Sequence, residues 1–313
     1  MLTYFVGRVA QFLLVIIGAM TVVFFALNIA TDPATLALPL GTPPQVLEQF
    51  RRAHGLSGSV FDQAWHFLTR AVRGDFGQSI WLGGDALHTA ISRVPATLEL
   101  VLPATILGSL LGVLMAMIAS RRPGRIIDQS LNVASLGMLA LAEFWLAIML
   151  ILVFAVRLGW LPSAGDSPKP AAYVLPAMVL AVRPFAQMFQ LGRVTMIDER
   201  SRGYVVTARS KGLSEKEVVK RHILRNAAIP LVTLGFYEVS RVFVGAAVIV
   251  EVIFAWPGIG YLAVEALQRG DVFLVEATVL VAAFVVALVN LAADMLYFAL
   301  DPRTRSLLSG LSR

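Results

Sequence analysis

Cysteine is absent from the 313 residues, which excludes disulfides, thiolate metal sites and a cysteine nucleophile. Charge is scarce too: Asp, Glu, Lys and Arg make up 15% of the chain against 58% hydrophobic residues, where a soluble domain carries about a quarter charged. No GxxxxGK[ST] loop occurs, so the chain has no phosphate cradle for ATP. HExxH and G-x-S-x-G are likewise missing. The four histidines, His54, His66, His88 and His222, are scattered and lack metal-ligand spacing. The chain therefore does not read as an enzyme and offers no metal site.

What is present is apolar length. Hydropathic runs lie at about 9 to 30, 100 to 119, 129 to 156, 173 to 195, 229 to 252 and 274 to 299, each long enough for a hydrocarbon core of roughly 30 Å. The expected fold is an all-α polytopic membrane protein with six transmembrane helices. The first run exceeds the signal-peptide core of about 7 to 15 residues and only Arg8 precedes it, so it is expected to be retained. With the N-terminus inside, sixteen Lys and Arg fall on the cytoplasmic side and eight outside, while Arg183 and Arg241 lie within spans. That bias satisfies the positive-inside rule and puts both termini in the cytoplasm. Topology thus accounts for the formal charge of +6, and no nucleic-acid partner is expected.

Two polar segments are too long for turns. The outer one, 31–93, reads as short surface helices. Thr42 is placed to N-cap a helix with Pro43 at its first position and Gly55 to end it; a second helix, VFDQAWHFLTRAV, stops before Gly74. Val60, Phe61, Ala64, Trp65, Phe67 and Leu68 recur at near-helical spacing, an apolar face for the transmembrane bundle or for another protein.

The inner segment, 196–230, carries the sharper signals. Tyr204 to Lys211 is helix-compatible, Gly212 suits a left-handed stop, and Ser214 with Glu217 fits a capping box opening a second short helix over EKEVVKRHILRN. Pro230 sits near the start of the next span. Val218, Val219, Ile223 and Leu224 form an apolar stripe expected to be exposed, with Lys216, Lys220 and Arg221 polar. The corner reads as a partner-docking lever or as an ordered loop.

Ionisable residues inside spans are costly and mark a pathway or an internal partner. Glu143, Arg183, Glu238, Arg241, Glu251, Glu276 and Asp294 qualify. Glu238 and Arg241 are three apart and so share a helix face; Arg241 is expected either to line a cavity and meet an anionic group of a solute or to form a structural ion pair. Glu251 and Asp294, near span ends, read as structural. Gly108 and Gly112 make a small-xxx-small pair for close helix approach. Pro257, Gly258 and Gly260 break FAWPGIG into a corner or a re-entrant helix.

The stretch YVVTARSKGLSEKEVVKRHILRNAAIPLVT resembles the cytoplasmic loop of binding-protein-dependent ABC importer permeases of the peptide and nickel type. Tyr204, Thr207, Ala208, Arg209, Lys211, Gly212, Leu213, His222, Leu224, Arg225, Asn226 and Pro230 carry the likeness. The wider class has a Glu-Ala-Ala triplet where this chain has Val206, Thr207 and Ala208. RGDFGQS, PATLEL, FAWPGIG and NLAADMLYFALDPRTR extend the likeness along the chain in the order of this family's first permease subunit. Glu238 and Arg241 depart from it, since family members tend to hold small or apolar residues there.

The resemblance implies a type I ABC importer transmembrane domain in a bacterial inner membrane. Its implied partners are a second homologous permease, two ATPase subunits holding ATP and Mg, and an extracytoplasmic solute-binding protein, all beside membrane lipid. A coupling helix near Gly212 to Lys220, with Ser214, Glu217, Arg225 and Asn226, would seat against an ATPase. Peptides lead among implied solutes, with nickel chelates, glutathione-like peptides and sugar-phosphate conjugates open. The implied division is a first helix at 1–30, the outer segment at 31–93, a permease core at 94–300 and a cytoplasmic tail at 301–313. The rival readings are an ion-coupled secondary transporter, which leaves the capped corner unexplained, and a scaffold with no transport role.

Overall fold

The computed structural model describes residues 2–30, 34–35, 38, 41–53, 58–163 and 170–300. The expected stop at Gly55, the tail 301–313, His54 and Lys169 lie outside the described residues. Every named element is helical. The chain divides into two compact units, one of Met1–Thr97 with Ala255–Leu288 and one of Leu98–Phe254 with the chain from Val289.

The first unit is built on α1 (Leu2–Ala30), α2 (Pro44–Ala53) and α3 (Val60–Val72), joined by the start of α4 (Ala86–Ala119), α12 (Ile259–Gln268) and most of α13 (Val272–Leu300). Helix α2 begins one residue later than the Thr42–Pro43 pattern predicts. The Pro43 carbonyl already accepts from the Val46 and Leu47 amides, so Pro44 takes the first helical position, where a missing N–H costs nothing. Ser59 caps α3 through a reciprocal box with Asp62. Phe67 of α3 stacks on Phe24 of α1 at 5.5 Å and meets Phe76 edge-on at 6.2 Å.

Two motifs noticed separately in the sequence meet in this unit. The Trp256 indole donates to the Ala96 carbonyl at 2.9 Å, and the Ile259 amide donates to Thr97 Oγ1 at 2.9 Å. FAWPGIG is thereby a corner pinned to PATLEL, with Ala255 at φ +49° and α12 starting at Ile259, directly after Gly258 and with Gly260 already inside the helix. RGDFGQS is fixed the same way: buried Asp271 accepts from Ser79 Oγ at 2.6 Å and from the Trp81 amide at 3.0 Å. Its other oxygen accepts from the Leu274 amide and caps α13.

The second unit holds the rest of α4, with α5 (Ile126–Ala140), α6 (Glu143–Leu150) running into a π turn Ile151–Arg157, and α7 (Val174–Arg200). After α8 (Gly203–Ser210), α9 (Glu215–Val218) continues through a π turn Val219–Ile223 into α10 (Leu224–Arg241), a second π turn Val242–Ala246 and α11 (Ala247–Ile253). Gly108 and Gly112 put α4 against α7: a Cβ built on them would lie 2.4 Å from the Ala181 carbonyl oxygen and 2.3 Å from that of Phe185. Only glycine admits that approach.

Among the described residues four helices are long and apolar enough to cross a membrane, five if a bent pair is one span. The bent pair is the expected span 129–156, broken by 100° between α5 and α6. Helix α4 begins at Ala86, so the expected boundary at 93/94 and the expected span start near 100 both fall inside it. Asp85 makes the early start, its carboxylate accepting from the His88 amide at 2.6 Å. The expected span 229–252 is helical throughout but is interrupted by a π turn and carries Glu238, Arg241 and Glu251.

Candidate functional site

The corner between α8 and α9 is locked by its own backbone. Gly212 stands at φ +81°, and its amide bonds to the Arg209 carbonyl at 2.9 Å while the Leu213 amide reaches Ala208 at 3.3 Å. That pair is a Schellman stop, which needs a left-handed residue at the glycine position. The Ser214 amide then bonds to Glu217 Oε2 at 3.2 Å, and the Glu217 amide returns to Ser214 Oγ at 3.4 Å. Both the stop and the box stand where the sequence predicts them.

A brace the sequence reading missed spans the corner. Glu215 accepts from Arg209 through Nε and Nη2, both at 3.2 Å, and also from Arg200 at the end of α7. The Arg209 hydrogen bonds, opposed by desolvation and joined by Arg200, hold its carboxyl below the ordinary range. Asn226 adds a second tie, donating to Tyr204 Oη and to the His222 carbonyl, each at 2.9 Å.

The expected exposed stripe is instead core. Val218, Val219 and Ile223 are buried with Val205, Ala208, Ala227 and Leu231 against Met188, Phe189 and Met196 of α7 and Ala116 and Ala119 of α4, and Leu224 is half-buried beside them. The reason is continuity: α9 does not end as a separate short helix but runs on through a π turn into α10, so its apolar face faces the bundle that α10 packs on. Exposed at the corner are Tyr204, Val206, Thr207, Arg209, Lys211, Gly212, Ser214, Lys216, Arg225 and Asn226, with Leu213 and Glu217 half-buried and Ala208 buried.

Farther along the same helical run, Arg241 Nε meets Glu238 Oε2 at 3.2 Å, the i,i+3 pair expected from spacing. The structure adds Glu143, whose Oε1 lies 3.4 Å from Arg241 Nη1. Glu143 opens α6 at the 100° break, where the helix dipole favours a carboxylate. Glu238 is fully buried, and Arg241 Nη2 is buried without a partner among the described residues. Arg183 joins none of these ion pairs, and its Nε is also unpartnered. A second polar seam went unread in the sequence: Arg193 clamps buried Asp128, with Nη2 to Oδ2 at 2.7 Å. One helical turn away, Gln190 donates to Asn132 Oδ1 at 2.9 Å and Ser135 Oγ at 2.7 Å.

Residues 108–306 match the family model described as binding-protein-dependent transport system inner membrane component, and residues 1–101 match its N-terminal companion. The oligopeptide transport system permease protein AppB of Bacillus subtilis (strain 168) is 33% identical, covering 97% of this chain and 99% of its own. The glutathione transport system permease protein GsiC of Escherichia coli (strain K12) is 35% identical with the same coverages. Among solved structures, the inward-facing MetNI methionine ABC transporter superposes with a TM-score of 0.54 at 18% identity, over 67% of this chain and 95% of that one. An amino acid ABC transporter crystallised with histidines gives 0.52 at 18%, over 69% and 94%. These two establish the fold, that of type I importer permeases, and the family membership sets aside the ion-coupled secondary transporter. The chain belongs to the family of binding-protein-dependent transport system inner membrane components and is a multi-pass permease subunit of an ABC importer.

Proposed function

We propose that the chain forms, with a second homologous permease, the pathway for a di- or oligopeptide handed over by an extracytoplasmic binding protein. Both termini lie in the cytoplasm, and two separate ATPase subunits supply ATP hydrolysis with Mg. The single observation that carries the coupling part is the corner at Gly212. A Schellman stop, a capping box and the Glu215 brace make it rigid on three counts, and a force generated in a soluble subunit reaches a membrane helix only through an element that moves as a body. The corner's Lys211 and Lys216 side chains are exposed and are free for an ATPase groove. The peptide part is supported by relatives named for oligopeptide and glutathione.

Arg241 belongs to this pathway. Its charge balance differs from the expected single pair, because two carboxylates face one guanidinium. Two carboxylates set about one guanidinium within a membrane call for a water-filled face and a further cationic group there. The ammonium end of a peptide supplies one, and the unpartnered Arg241 Nη2 suits a carbonyl oxygen beside it. The test is uptake of a labelled dipeptide and tripeptide into proteoliposomes holding all four kinds of subunit with ATP inside. The proposal predicts ATP-dependent uptake, reduced at least tenfold by Arg241→Ala (about 1.4 kcal/mol in transition-state terms) with assembly and basal ATP hydrolysis intact. Loss of assembly in that variant would make the cluster a structural ion pair instead, and absence of peptide uptake by the unaltered complex would remove the peptide assignment.

A further inference from the structure

Helix α3 has more apolar surface than its neighbours cover. At about 100° per residue, Phe67, Val60, Ala71, Ala64, Leu68, Phe61, Val72 and Trp65 share one arc about 160° wide, opposite Asp62, His66, Thr69 and Arg70. One edge of that arc is used: Phe67 lies against Phe24 and Phe76. The other edge is open, with Phe61 79%, Trp65 69% and Val72 88% exposed. Exposure of two large rings on one helix edge needs an occupant.

Position decides which. Helix α1 is a candidate span whose apolar window, Ala10–Leu27, is only 17% buried, leaving Leu13, Leu14, Val15, Ile17 and Val22 exposed as a lipid-facing surface. Phe24, where α3 docks, lies in the last turn of that window. The 13 residues of α3 reach about 20 Å, too short to cross a bilayer. Helix α3 thus docks on the buried stripe of α1 at the end of its apolar window, through Phe67 on Phe24, which is the level at which hydrocarbon ends and aromatic rings concentrate if α1 crosses a bilayer.

We propose that α3 is a membrane-surface anchor. Its Phe61, Leu68, Val72 and Trp65 edge sits in the headgroup boundary of the leaflet at the far end of α1, while its Phe67 edge holds α1. The capping box at Ser59 starts the helix at this level, and Arg70, paired with Asp75 at 3.3 Å, remains on the watery side. The inference rests on α1 crossing the bilayer and is independent of the solute and of the ATPases.

The cysteine-free sequence makes the test direct. Nitroxide labels are placed one at a time by Phe61→Cys, Trp65→Cys and Val72→Cys, with His66→Cys on the polar arc. The full chain, with the subunits that copurify, is held in nanodiscs of phosphatidylethanolamine and phosphatidylglycerol. Collision rates are then measured with oxygen, which concentrates in lipid, and with chromium oxalate, which stays in water. The anchor predicts that labels at 61, 65 and 72 collide several-fold more with oxygen than with chromium oxalate, and that the ratio inverts at 66. Ratios at 61, 65 and 72 equal to that at 66 would make the edge a water-facing docking site and overturn the proposal. Low collision with both reagents would put another protein there and overturn it equally.

Discussion

At Gly112 the fold leaves no room for a methyl group. A Cβ there would meet the Phe185 carbonyl oxygen at 2.3 Å and Met188 Cβ at 2.9 Å, and neither a helix backbone nor a buried neighbour gives way cheaply. Gly112→Ala is therefore expected to destabilise the chain by about 1–3 kcal/mol, read as a lower melting temperature in detergent. Gly137→Ala, with nothing within 4 Å of its Cβ, is expected to leave the melting temperature unchanged or slightly raised. The four-residue glycine spacing was legible in the sequence because it has one dominant use in apolar helices. Glu215 was not legible: in SEKEVVKR it reads as one more solvated charge, and only folding brings Arg200 to it. At 51% exposure its ion pairs contribute less than about 1 kcal/mol, so the brace acts by geometry.

The same residue gives a pH test. The free carboxyl titrates near 4.5, and the folded one lies lower. The brace is thus complete above about pH 4.5 and is lost as the pH falls through the lower folded value. Hydrogen exchange of amides 203–217, corrected for intrinsic rates, is expected to be constant from neutral pH down to about 5 and to accelerate below 4.5. Glu215→Gln should give faster exchange at neutral pH already, by up to about fivefold for 1 kcal/mol. Exchange in Glu215→Gln identical to the unaltered chain would show that the brace holds nothing.

Among elements, the corner was legible and its continuation was not. Gly212 and the Ser214–Glu217 spacing are local signals whose geometry depends on a few adjacent residues, and both stand as read. Gly212→Val forces a branched side chain into a left-handed backbone, a strain of about 1–2 kcal/mol, and is expected to misdirect α9. The readout is ATP hydrolysis by the assembled complex, which should lose its response to loaded binding protein; full stimulation in Gly212→Val would contradict the corner's role. The π turns after α9 and α10, by contrast, have no sequence signature, and they turn two expected elements into one helical run. The break between α5 and α6 was illegible for a related reason. It falls at Leu141 and Ala142, both extended at ψ 129° and 132°, with no proline or glycine between 138 and 157, whereas α7 passes unbroken through Pro184. What ends α5 is tertiary: Glu143 opens a new helix with its carboxylate on Arg241.

For the whole molecule, the fold class was readable from apolar length and charge placement. The count of six spans was less so: the apolar run 129–156 hides a 100° bend, and the run 229–252 is diluted by Glu238, Arg241 and Glu251, so that among the described residues four helices qualify, five with the bent pair. The functional consequence lies in that diluted span. From Glu215 to Ile253 the chain is one helical run of α-helix with two π turns, so the corner and the Arg241–Glu238 pair share one element, which Glu143 meets from α6. Under the proposed coupling, a push at Lys211 and Ser214 would be delivered to the Arg241–Glu238 pair through that run, with the π turns at 219–223 and 242–246 as the places where it would bend. Cysteine crosslinking in intact cells tests this most directly. Lys211→Cys and Lys216→Cys, introduced into a chain without other cysteines, are paired with cysteines lining the candidate groove of the ATPase subunit. The account predicts a crosslinked permease–ATPase product from both positions and none from Val22→Cys on the face of α1. Crosslinks absent at 211 and 216 in an assembled, transporting complex would contradict it.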